Sequence, residues 1–112
     1  MLDPTRLDLA LFADSADRAA RLLRALSNER RLMILCQLTD GELTVGAIQA
    51  RIELSQSALS QHLAVLRREG ILATRRQGQT IHYRIADAAA LRIIQTLAEL
   101  FCPPESLKPA GN

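Results

Sequence analysis

At Gly70 a helical period of apolar residues gives way to an alternating one, and no other feature of this 112-residue chain narrows the possible folds as far. Before the switch, Leu59, Leu63 and Leu66 recur at spacings of four and three, the stripe of a helix with one buried face. Ser55 is placed to cap that helix and Gly70 to end it. After the switch, Ile81, Tyr83 and Ile85 alternate with Thr80, His82 and Arg84, as in a half-buried strand. Leu72 to Gln77 supplies its partner strand, and Gln77-Gly78-Gln79 a tight connection in which glycine is free to take positive φ. A helix followed by a two-stranded wing is the expected product.

The polar side of this unit has a chemistry of its own. Gln56, Ser57, Ser60, Gln61 and Arg67 project from the first turns or one edge of the helix, with short amide and hydroxyl groups that can reach base edges or phosphates. Residues 67–84 hold five arginines, Arg67, Arg68, Arg75, Arg76 and Arg84, against the one acid Glu69. Such a surface seeks phosphate. The plainer alternative is a solvated basic face with no ligand; it leaves unexplained why cap, stripe, glycine stop, hairpin and basic cluster agree.

The length suits one domain that gains from extra burial on dimerisation. Thirteen of the fourteen basic residues are arginine, whose planar fork suits bidentate contacts. The formal charge of +2 conceals a gradient: residues 1–17 carry −3, residues 18–84 carry +6 and residues 85–112 carry −1. The middle is where an anionic partner docks. No apolar run is long enough to span a bilayer and the start of the chain is acidic, which points to a cytoplasmic protein with no membrane partner. Two cysteines in a reducing compartment do not make a structural framework, so Cys36 and Cys102 are either core residues or reactive thiols.

Upstream, residues 1–14 are expected to form a mobile arm. A helix over about 15–26 buries Ala16, Ala19, Ala20, Leu23 and Leu26. A second, over about 28–39, is capped by Ser27 or Asn28 and apolar from Leu32 to Cys36. Asp40-Gly41-Glu42 turns the chain, and Thr44 caps a short helix to about Arg51. Short helix, turn and longer helix make a helix-turn-helix. Asp87 caps a last helix over about 88–102, in which Leu91, Ile93, Ile94, Leu97, Leu100 and Phe101 cover more than one face. A dimer contact would use the second face; a groove of its own domain is the alternative. Pro103 and Pro104 stop that helix, and residues 103–112 form a tail. The expected fold is mainly α with a small β-hairpin, a winged helix-turn-helix with four helices before the hairpin and one after it, and residues 15–102 as the DNA-binding and dimerisation domain.

With ALSNERRLMILCQL, LSQSALSQHLAVLRREGIL and TRRQGQTIHYRI in this order, residues 15–102 resemble the ArsR/SmtB family of winged-helix repressors. The placement of Cys36 in LCQL and Cys102 in LFC is similar to the thiol- and persulfide-sensing HlyU/BigR/SqrR branch. The resemblance implies a homodimer that sits on an imperfect palindrome in double-stranded DNA and blocks transcription. Its expected DNA-binding residues are Ser55, Gln56, Ser57, Ser60, Gln61, His62, Arg67, Arg75, Arg76 and Gln79, the last three on the wing. His62 has the alternative of bonding within the helix-turn-helix. The resemblance also implies that an oxidant or reactive sulfur species links Cys36 to Cys102, directly or through inserted sulfur, and so ties the second helix to the last.

Other members of that family sense metals, but the positions concerned speak against it here. The metal-binding CxC falls within LTVGAI, which has no cysteine, and the site on the last helix is represented by Asp87 alone. No cofactor is expected. Nor is an enzyme: the sequence has no glycine-rich phosphate loop, no paired carboxylates with a convincing common site and no nucleophile set beside a histidine and an acid. A winged helix that binds protein rather than DNA is the remaining alternative.

Overall fold

The computed structural model describes residues 8–102, and its element boundaries follow local chemistry. Helix α1 (Leu9–Ala13) starts where the Asp8 carboxylate accepts from the backbone N–H groups of Ala10 and Leu11. Helix α2 (Ala16–Leu26) ends at Ser27, and α3 (Glu29–Gln37) begins beyond Asn28, whose side chain accepts from Arg31 N at 3.0 Å. Arg31 in turn donates through Nε to the carbonyl of Ala25 at 2.6 Å, satisfying an end carbonyl of α2. A short strand β1 (Leu43–Thr44) leads into α4 (Val45–Gln49), capped by Thr44.

Helix α5 (Gln56–Arg68) is capped by Ser55 Oγ, which accepts from Ala58 N at 3.1 Å. It closes with two bonds, Gly70 N to Arg67 O and Ile71 N to Leu66 O, both 3.0 Å. Gly70 stands at φ +78°, so this is a Schellman stop. Strands β2 (Leu72–Gln77) and β3 (Thr80–Ile85) follow, paired from Leu72–Ile85 out to Gln77–Thr80 around a two-residue turn. Gly78 has φ +63° and, among the described residues, no non-glycine residue is positive, the sign pattern of a II′ hairpin. Helix α6 (Ala88–Phe101), capped by Asp87, ends at an extended Cys102, the conformation expected before Pro103.

Among the described residues the sheet has three strands in the order β1-β3-β2, not two. Strand β1 pairs antiparallel with β3, Leu43 opposite Tyr83 and Thr44 opposite His82. The core collects the stripe of α5 (Leu59, Leu63, Leu66), Ile34, Leu35 and Leu38 of the α3 segment, Ile48, Ile71, Leu72, Ala90 and Ile94. The strands thus anchor the base of the wing to the same core that holds α5.

Several sequence expectations need correction. The stripe of α2 that reaches the core is Leu22, Ala25 and Leu26, while Leu23 is 56% exposed; an equally good three-and-four spacing lay one residue away. Leu9–Ala13 folds as one helical turn; residues 1–7 of the expected arm and the expected tail, 103–112, lie outside the described residues. Alternation along β3 breaks at His82, half-buried because β1 covers that edge. Among the described residues no helix is long and apolar enough to cross a membrane.

Candidate nucleic-acid interface and thiol pocket

Burial of Leu59, Leu63 and Leu66 fixes which side of α5 meets solvent. Ser57, Gln61, Ala64 and Arg68, spaced four, three and four, are all exposed and form the outward row. Beside it, Ser60, Ala64, Arg67 and Arg68 line a groove closed on its far side by Val45 and Tyr83, where α5 meets α4 and the sheet. Gln56 is exposed in the first turn, next to Ser55 and its cap. Arg68 belongs to this surface as fully as Gln61. Its charge stands out in the sequence, and its place in the row follows from the spacing to Ser57, Gln61 and Ala64.

His62 leaves the row. It is half-buried on the flank of α5, and burial followed by the charges of Arg31 and Arg30 holds its ring below the ordinary histidine pKa. A ring whose charged form is disfavoured fits the alternative of a role within the helix-turn-helix better than a cationic phosphate contact.

On the wing, cross-strand pairing places Arg75 opposite His82 and Arg76 opposite Ile81, so the two arginines project from opposite faces of the hairpin. Arg76 is exposed, as is Gln79 at the turn. Arg75 is engaged. Its Nε lies 3.0 and 3.1 Å from the two Glu42 oxygens, Nη2 is 2.8 Å from Oε1, and Nη1 donates to Gln77 Oε1 at 3.3 Å. The guanidinium holds the Glu42 carboxyl below the usual carboxylate range, helped by the charges of His82 and Arg84. A second ion pair, Arg21 Nε to Glu69 Oε1 at 2.6 Å, joins α2 to the end of α5 and neutralises the one acid of the basic stretch. Among the described residues, Arg67, Arg68, Arg76 and Arg84 pair with no carboxylate.

The cysteines lie on the other side of the core. Leu32 and Cys36 of α3 with Ile94, Leu97, Ala98, Phe101 and Cys102 of the α6 segment line one almost wholly apolar pocket. Cys36 is exposed at its mouth rather than packed in the core, and Cys102 is half-buried. Burial on one flank, then the nearby Cys102, pushes the Cys36 thiol up from its ordinary pKa. Among the described residues no three His, Cys, Asp or Glu side chains come together as a metal site.

A helix with an exposed polar row, set on a short capped helix and flanked by an arginine-bearing hairpin, is the architecture of a winged helix-turn-helix DNA-binding protein. Residues 28–74 match the family described as bacterial regulatory protein, arsR family. Transcriptional activator HlyU of Vibrio cholerae is 47% identical over 96 residues, 86% of this chain and 89% of that protein. The biofilm growth-associated repressor of Agrobacterium fabrum is 41% identical over 104 residues, 93% of this chain and 89% of that one. The solved structure of reduced HlyU from Vibrio cholerae superimposes with a TM-score of 0.78 at 48% identity, covering 86% of this chain and all of that one. This chain belongs to the ArsR family of bacterial regulators: it is a DNA-binding regulator of transcription and not an enzyme.

Proposed function

We propose that this chain acts as a homodimeric repressor on a palindromic operator, and that its grip on DNA is set by linkage of Cys36 to Cys102. The observation that carries the reading is the shared pocket: two cysteines 66 positions apart in sequence line one apolar cleft between α3 and α6. Helix α3 also packs on α5, so a covalent tie across that cleft bears on the helix that faces DNA. The relative HlyU of Vibrio cholerae has a structure described as its reduced form, which supports a redox-dependent state in that protein.

Dimerisation is supported by the large apolar side chains left in solvent. Leu9, Leu11 and Phe12 of α1, Leu23 of α2, Met33 of α3, and Leu100 and Phe101 of α6 are 44–79% exposed. Exposure on this scale in a small domain supports the reading of an association surface. A two-fold pair then presents two α5 helices to successive major grooves, about 34 Å apart. Ser57, Gln61 and Arg68, with Ser55, Gln56, Ser60 and Arg67 beside them, are the groove and backbone contacts in this reading. Arg76 and Gln79 are the wing contacts.

The linking step balances in two ways. With a peroxide, the two thiols lose two protons and two electrons, and the peroxide leaves as two molecules of water (or water and an alcohol). With an organic persulfide, each thiolate takes a sulfane sulfur and releases the organic thiol. Two persulfidated cysteines then condense to a trisulfide and hydrogen sulfide. The extra sulfur lengthens the bridge, which relaxes the roughly 7 Å limit between α-carbons that a disulfide imposes. The test pairs mass spectrometry with a DNA shift assay on reduced, peroxide-treated and persulfide-treated protein. Cys36→Ser and Cys102→Ser should bind DNA as the reduced protein does and ignore both treatments; a response undiminished in both variants rules the linkage out.

A further inference from the structure

We propose that Glu42 is a built-in counter-charge on the wing, which holds Arg75 away from the DNA backbone and so sets how tightly the wing grips. This rests on the reading above that the wing meets DNA. Glu42 stands just ahead of β1, the strand that pairs with β3, and its carboxylate reaches across to the outermost strand, β2. Both of its oxygens take bonds from Arg75, at 2.8–3.1 Å, and Gln77 takes a third side of the same guanidinium. A carboxylate held this way occupies the fork that a phosphate would use. It also adds a negative charge on the face that carries Arg84 and His82. The pair spans 33 positions in sequence, from the turn before β1 to mid-wing, so it links the entry of the helix-turn-helix to the hairpin.

The wing is therefore asymmetric in charge. Arg76, on the opposite face, pairs with no described carboxylate and is free to meet phosphate, whereas Arg75 must first leave Glu42. Removing the carboxylate charge releases a guanidinium to the backbone, and each phosphate neutralised steepens the salt dependence by about 0.9 in log K against log salt.

The experiment measures binding to a fluorescent mixed-sequence DNA duplex, three helical turns long, by anisotropy across a salt series, with thermal melts of each variant. Glu42→Gln should bind severalfold to about tenfold tighter near 0.1 M salt, with a slope steeper by about one per wing engaged. The Glu42→Gln/Arg75→Gln double variant should lose that gain. Unchanged or weaker binding by Glu42→Gln, or a gain that survives in the double variant, overturns the proposal. Arg76→Ala separates the two readings. If it weakens binding while Glu42→Gln changes nothing, only the counter-charge fails; if Arg76→Ala also changes nothing, the wing does not meet DNA and both readings fall.

Discussion

His62 and Cys36 show how position decides what a titratable group can do. His62 sits on the flank of α5 toward Arg30 and Arg31, and its pKa is depressed, so the unfolded chain binds its proton more readily than the folded one. Stability on this account is complete above about pH 6.5 and falls as the pH drops from there toward the lower folded value. His62→Gln should flatten the fall in urea midpoint between neutral pH and about pH 5; an equal fall in both proteins would assign it to other groups. Cys36 is shifted the other way, so at neutral pH it holds less thiolate than a free cysteine. Its alkylation by iodoacetamide, followed by mass spectrometry, should keep accelerating past the ordinary thiol range near pH 8.5. In Cys102→Ser the inflection should move down, because one of its two causes is gone.

Elements here are defined by their ends, which is why so much of the fold was legible in the sequence. Asn28, Thr44, Ser55 and Asp87 each accept a backbone N–H at the start of a helix, and Gly70 ends α5, all from residues whose side chains or lack of one suit those places. Ser55→Ala should cost about 1 kcal/mol of stability, read as a lower urea midpoint at fixed protein concentration. Strand β1 was not legible, since two residues carry no period and Leu43–Thr44 is a strand only through its pairing with β3. The stripe of α2 was ambiguous for another reason: alanine and leucine recur around much of its circumference, so spacing alone did not choose between Leu22 and Leu23. At the candidate site, the outward residues of α5 followed from the buried stripe. The Arg75–Glu42 pair depends on a contact between β2 and the turn before β1, which no local pattern encodes.

For the molecule as a whole, its exposed leucines and phenylalanines have a cost in water that a second subunit would remove. In the proposed dimer, Leu100→Asp or Phe101→Asp should shift the mass measured by light scattering from two subunits to one, and weaken DNA binding with it. Monomer mass in the unaltered protein at micromolar concentration would contradict the two-fold reading. The same packing explains how one small domain could carry two functions. Helix α3 contributes Ile34 and Leu35 to the core, Cys36 to the thiol pocket and its first turn to the flank of α5.

The strand order β1-β3-β2 leaves β2 on the outside of the sheet, with a row of backbone donors and acceptors that no neighbouring strand takes up among the described residues. Such a border invites another chain to extend the sheet, and growth of that kind ends in insoluble fibrils. Arg76, exposed at the middle of that border and paired with no carboxylate among the described residues, makes the approach of an identical strand repulsive. The guanidinium proposed to meet a polyanion would thus also keep the wing from adhering to its own kind.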